Sequence, residues 1–197
     1  MSAEWEARYQ QQDTPWDKGA PSPPLIQWLK ERTLTGRALV PGCGSGHDVR
    51  ALAAHGLDVV GLDVAPSATL LAKTYPRVAN ETYVNADFFD LPSDLMGGFD
   101  WVIEHTCFCA IPPRRRSDYV RAAHAALRPQ GGILGIFYLN PRDDPNEDGP
   151  PFGVTEEALR EHFGDGFEWV ESFVPDIAYS GREGRELVAV IRKSQDA

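Results

Sequence analysis

The sequence predicts an α/β fold: an open sheet of seven strands flanked by helices, in a single domain that fills residues 1–197. Three observations predict it. An apolar run at Ala38–Val40 breaks into a turn with glycines at alternate positions, Gly42, Gly44 and Gly46, then a helical segment, then a second apolar run ending on Asp63. Apolar runs go on alternating with segments of helical spacing as far as Tyr138, the pattern of a parallel sheet with crossover helices. The last two runs, Phe167–Val174 and Leu187–Arg192, are separated only by a polar link, so the chain ends on a strand pair.

Residues 1–24 set Trp5, Tyr9 and Trp16 in a polar stretch that closes on Pro21, Pro23 and Pro24. So aromatic a segment folds over something. Either its rings pack onto the core, residues 25–197, or they form a lid over a bound cation. Leu25–Leu34 reads as a helix with Leu25, Ile26, Trp28 and Leu29 on its apolar face, ended by Gly36. In the glycine unit Val49, Leu52 and Ala53 have helical spacing. Asp48 stands near that helix's N-terminus, where free N–H groups want an acceptor. Gly56 stops the helix and Val59–Leu62 is the second strand.

Pro66 and Ser67 open a helix that runs to about Tyr75 and stops at Pro76. Thr82–Asn85 is the third strand and leads to Asp87 and Phe88; Phe99–Glu104 is the fourth and leads to His105. Pro113–Leu127 reads as a helix, Pro129-Gln130-Gly131-Gly132 as a turn, and Ile133–Tyr138 as the fifth strand. Asn140–Pro151, rich in Pro, Asp and Gly, is a loop at the same sheet edge as the glycine turn. Thr155 caps a helix to about Phe163, with Glu156 and Glu157 in its first turn. Tyr179–Arg185 is a flexible link between the last two strands.

Composition narrows the function. Apolar residues make up 42% and charged residues 24%, ordinary values for a globular chain. A net charge of −10 argues against a nucleic-acid partner, which calls for a basic face. The one basic cluster, Arg114-Arg115-Arg116, reads as the solvated first turn of a helix. No apolar run reaches membrane-span length, and the start, MSAEWEARYQ, lacks the apolar core of a signal peptide. A cytoplasmic protein acting on a small molecule is expected, and a monomer is compatible with everything in the sequence. Cys43, Cys107 and Cys109 lack the spacing of a disulfide framework or a metal site, so packed, reduced thiols and no metal are expected.

The glycine unit carries the chemistry. Bare backbone at Gly42 and Gly44 can bend sharply and approach a ligand closely. Asp63 ends the second strand on the same edge, roughly 20 residues downstream, where a carboxylate can accept both hydroxyls of a ribose. A dinucleotide fingerprint GxGxxG from Gly42 needs glycine at 47, and that residue is His47. The pattern is GxGxG, which suits S-adenosylmethionine, a ligand without phosphate. The nucleophile-elbow pattern GxSxG fails around Ser45, flanked by Cys43 and His47. A sulfonium is drawn to aromatic faces by up to about 2 kcal/mol once water is excluded, which favours Trp5, Tyr9 and Trp16 as a lid.

Asp87 can accept from an adenine amine while Phe88 stacks on the ring, or Asp87 can be a plain turn residue. Glu104 and His105 end the fourth strand, at the edge where open α/β sheets hold ligands, and both are read as facing the cofactor. His105 is either the candidate base or a packed structural histidine.

Four stretches carry a family resemblance: WEARYQQQDTPWDKGAPSP, LVPGCGSGHDV, ADFFD at Ala86–Asp90, and FDWVIEHTCFCAI. Together they cover most of residues 5–111. The chain resembles the thiopurine S-methyltransferase-like family, in its halide and thiol branch, within the Rossmann-like methyltransferases that use S-adenosylmethionine. The resemblance implies that Trp5, Tyr9 and Trp16 wrap the donor, with Tyr9 at a position more often Trp. It places Gly42 along the methionine part, Asp63 on the ribose, and Asp87 with Phe88 on the adenine. The wider class carries an acid two residues before the first glycine, where this chain has Val40. His105 stands where halide and thiol relatives tend to carry Tyr in a D-Y-T-F-F-C-A-I run; here the run is E-H-T-C-F-C-A-I. That departure bears on the acceptor.

The expected reaction is in-line methyl transfer to a small soft nucleophile, a thiolate or halide. Such an acceptor arrives charged, so alignment and a dry pocket matter more than a base. The alternatives are a methyltransferase for a small organic oxygen or nitrogen acceptor, and a non-catalytic binder of the same cofactor.

Overall fold

The computed structural model describes residues 2–140 and 149–194. Its strands form where apolar, β-branched runs can be buried on both faces. They are β1 (Arg37–Pro41), β2 (Asp58–Asp63), β3 (Glu81–Asn85), β4 (Phe99–His105), β5 (Leu127–Tyr138), β6 (Phe167–Phe173) and β7 (Glu186–Lys193). All seven share one sheet in the order β3-β2-β1-β4-β5-β7-β6. The first five run parallel, and β7 pairs antiparallel with both β5 and β6. Strand order reverses between β1 and β4. That is the point where such sheets leave a crevice beyond their carboxyl ends.

Alternation along the strands splits the core in two. Ile133 and Phe137 of β5 pack with α5 (Arg116–Ala126) and α6 (Glu156–His162). Leu134 and Ile136, the residues between, pack with α2 (Pro23–Glu31) and α3 (His47–Ala54). Two further helices, α1 (Ser2–Gln10) and α4 (Pro66–Thr74), meet at the β2–β3 end. Thr155 caps α6 as expected, its Oγ1 accepting from the Ala158 N–H at 3.2 Å. No helix among the described residues is long and apolar enough to cross a membrane.

Four local expectations change. Pro129–Gly132 is not a separate turn but lies inside β5. Gln130 takes φ +67° there, and pairing with β4 jumps from Phe99↔Leu127 to Trp101↔Gly132. The kink chemistry is present, but the ladder resumes across it. The arginine run is not a solvated helical turn: Pro113–Arg115 is a 3₁₀ turn, and Arg116 is buried, donating to the Phe152 and Gly153 carbonyls. α2 stops at Glu31, where Arg32 turns extended, ahead of Gly36. The 179–185 link is tied down: Tyr179 Oη donates to the Ala20 carbonyl at 2.5 Å, and the N–H groups of Arg182 and Arg185 close successive turns. Of the expected loop Asn140–Pro151, residues 141–148 lie outside the described residues.

Candidate active site

A cavity of about 390 Å³ lies over the carboxyl ends of the strands, on both sides of the reversal. One half is walled by Gly42, Asp63, Asp87 and Phe88, from the ends of β1, β2 and β3. The other is walled by Thr106, Cys107 and Cys109 after β4, Tyr138 at the end of β5, and Ser180–Arg182 before β7.

The first half is built from backbone and one carboxylate. Gly42 has φ +62°, and a Cβ there would lie 3.0 Å from Cys107 Sγ, so only glycine leaves this floor open. The Asp63 carboxylate accepts from the Gly44 N–H at 3.0 Å and the Ala65 N–H at 2.9 Å, one bond to each oxygen. The carboxylate thus ties the glycine bend to β2. Each oxygen keeps acceptor capacity for a hydroxyl, which fits a vicinal diol. Burial raises the Asp63 pKa, and the two N–H donors counter it in part. Asp87 accepts from the Phe89 N–H at 2.9 Å, starting a short turn, and also lines the cavity. The residues present therefore fit an adenosyl group.

The aromatic segment roofs the cavity. α1 is seated by Glu6, which accepts from the Ser67 N–H at 2.9 Å and the Ser67 hydroxyl at 2.6 Å in the first turn of α4. This places Trp5 and Tyr9 over the cavity, with Trp16 joining from the following turn. Trp16 stands edge-on to both rings, at 5.2 Å from Trp5 and 5.8 Å from Tyr9, and its Nε1 donates to Tyr9 Oη at 3.3 Å. One face of Trp16 already receives a cation, the Arg8 guanidinium at 4.5 Å.

The second half rests on a buried carboxylate. Glu104 is fully buried and accepts from the N–H groups of Cys107 and Phe108 and from Tyr119 Oη at 2.6 Å. Burial outweighs those donors and pushes its pKa up to about 7. Phe108 anchors the same loop in the core, edge-on to Tyr119 and Phe137 at 5.3 and 5.8 Å. Thr106, held between these anchors, takes φ +60°, a strained conformation for a β-branched residue.

Not every expected residue faces the cavity. Trp5, Tyr9, Trp16, Gly42, Asp63, Asp87 and Phe88 line it; Gly44, Glu104 and His105 do not. Gly44 acts through its N–H on Asp63. Glu104 turns to the α5 side, where its oxygens are taken. His105 turns to the α3 side, where its Nδ1 meets Asp48 Oδ2 at 2.6 Å. Asp48 caps no helix end: it sits inside the first turn of α3 and spends its carboxylate on His105 and the Ser22 N–H. Tyr138 and Ser180–Arg182 escaped the sequence reading. Nothing in the period or composition of the 179–185 link marks Arg182 as buried.

The chain matches the family model for thiopurine S-methyltransferase over residues 1–194. It is 38% identical over 157 residues to thiocyanate methyltransferase 1 of Brassica oleracea, covering 77% of this chain and 67% of that one. It is 32% identical over 200 residues to the probable thiol methyltransferase 2 of Arabidopsis thaliana, covering 98% and 86%. In fold it is similar to the Burkholderia thailandensis 1,6-didemethyltoxoflavin-N1-methyltransferase, solved with 1,6-didemethyltoxoflavin and S-adenosylhomocysteine bound. The TM-score is 0.74 at 22% identity, covering 98% of this chain and 87% of that one. A match that runs nearly end to end, on a cavity shaped for an adenosyl group, fixes the relationship: this chain belongs to the thiopurine S-methyltransferase family and is an S-adenosylmethionine-dependent methyltransferase.

Proposed function

We propose that the enzyme methylates a small, soft, anionic nucleophile: a thiolate, a thiocyanate-like anion or a halide. One observation carries this reading. The second half of the cavity presents a buried cation, Arg182, 8% exposed, while no histidine among the described residues lines the cavity. Glu186 takes one Arg182 N–H at 3.2 Å, and the guanidinium lies over the rings of Tyr138 and Tyr179 at 4.5 and 5.4 Å, so the cation is held at the cavity wall. An acceptor that arrives charged needs such a cation to hold it and no base to activate it.

When bound, S-adenosylmethionine supplies a methyl group already activated on a sulfonium. Asp63 would hold its ribose, Asp87 and Phe88 its adenine, Gly42 its methionine part, and Trp5, Tyr9 and Trp16 would close over it. Arg182 orients the acceptor, and the aromatic walls keep out water that would otherwise shield the nucleophile. The cavity's own thiols stay out of the reaction. Burial pushes Cys109 up to about 12 and Cys107 well above its ordinary value, so both remain protonated, non-nucleophilic neighbours. The names of the thiocyanate and thiol methyltransferase relatives point the same way. This reading makes 1–24 the lid of a single-domain cytoplasmic enzyme that acts on small molecules rather than nucleic acids or membranes.

The test is S-adenosylhomocysteine formation with iodide, thiocyanate, hydrosulfide and an aromatic thiol, beside a phenol and an amine of similar size. Turnover with the first group supports the reading. Turnover confined to the phenol or amine, or donor binding with no turnover at all, overturns it.

A further inference from the structure

A buried row of charges runs back from Arg182, away from the acceptor half, and its members beyond Arg182 have no part in the reaction above. His105 meets Asp48 of α3 through Nδ1, with side chains 9% and 14% exposed. Strand register puts Glu186, the first residue of β7, on the same sheet face: His105 pairs with Ile136 of β5, Ile136 with Val188, and Tyr138 with Glu186. Glu186 is fully buried and accepts from Arg182, which lines the cavity. Two atoms in this row have no hydrogen-bond partner among the described residues: His105 Nε2 and Glu186 Oε2. One belongs to a potential cation and the other to a carboxylate. The Tyr179 ring, stacked on His105 at 6.0 Å, completes the set of titratable or charged groups around the imidazole: Asp48, Glu186, Arg182 and Tyr179.

We propose that His105 is a positioning residue that gates acceptor affinity: as an imidazolium it lies between Asp48 and Glu186, and so leaves the charge of Arg182 available to the incoming anion. The proposal rests on the anionic-acceptor reading above. With His105 protonated, two carboxylates face two cations and the row is neutral. Loss of that proton leaves one uncompensated negative charge in a low-dielectric wall beside the acceptor, where it repels an anion. The direction of titration agrees. Burial pushes the imidazole towards its neutral form, but the charge and hydrogen bond of Asp48 outweigh burial, Glu186 adds to them, and the pKa stands above 6.5. The imidazolium is thus kept below that raised value and lost as pH climbs through it.

Iodide and thiocyanate do not titrate in this range, so any pH dependence of their KM belongs to the protein. From below pH 6.5 to well above it, their KM should rise about five- to tenfold in the unmodified enzyme, with kcat changing less. In His105→Gln the KM should stay flat. A second measurement needs neither a variant nor turnover. With S-adenosylhomocysteine bound, saturating thiocyanate should raise the His105 titration midpoint, read by NMR, by the same coupling factor. A flat KM in the unmodified enzyme, an unmoved midpoint, or the same pH break in His105→Gln overturns the proposal while leaving the anionic acceptor intact. If neither anion binds or is methylated at any pH, the acceptor assignment itself fails, and the proposal fails with it.

Discussion

The two halves of the cavity are built on different plans. The floor of the half assigned above to the donor comes from one stretch, Gly42 to Phe88, and uses bare backbone, the Asp63 and Asp87 carboxylates and one ring. The acceptor half comes from the ends of β4, β5 and the β6–β7 link, segments far apart in sequence, and uses side chains: thiols, a tyrosine and Arg182. A site made of backbone admits few substitutions, because a Cβ at Gly42 closes it. A site made of side chains on separate segments can change one contact at a time. On this plan the acceptor half can vary while the donor half stays fixed.

Single substitutions should move one half without the other. The largest effect is expected from Asp63→Ala. It removes the diol acceptors and frees the glycine bend, so donor binding by calorimetry should weaken by about 3 kcal/mol or more, a hundredfold or greater. Arg182→Met should raise the KM for an anionic acceptor about ten- to a hundredfold and leave the donor Kd unchanged. A matching loss of donor affinity would show that the halves are not separable. Trp16→Ala tests which half the lid serves: it should weaken donor binding by about 1–2 kcal/mol if the ring meets the sulfonium, and hardly change the acceptor KM.

The smallest effect is on stability alone. The Glu104 pKa is raised from 4.5 to about 7 in the folded chain, so the native state holds a proton there that the unfolded state has released. Stability should therefore fall as pH rises from 4.5 to about 7, and Glu104→Gln should flatten that slope in thermal melts by a few degrees.

Much of the donor half was legible in the sequence because its signals are local. Glycine spacing, a strand ending on an acid and a proline-opened helix each need only a few neighbouring residues. The seven strands and the paired ending were legible in the same runs, but the strand order and the insertion of β7 between β5 and β6 depend on long-range pairing that no local run marks. What was misread lies at the end of β4. Glu104 and His105 are adjacent, and adjacency on a strand sends side chains to opposite faces. One went to Tyr119 and the other to Asp48, leaving the residues after them, Thr106 and Cys107, to meet the cavity. Arg182 was invisible for another reason: Glu186 is near it in sequence, but its burial also depends on the ring of Tyr138, 4.5 Å away, a partner that only the folded sheet supplies.

The way α1 is seated has a consequence for turnover. The helix contributes no buried residue and rests on the Glu6 carboxylate and on its own rings. As the proposed lid, a helix with no buried residue of its own can lift far more often than the sheet can open. On the proposed placement of the donor, the spent cofactor would leave through the top of the molecule while the strands, and the alignment they impose, stay assembled for the next cycle.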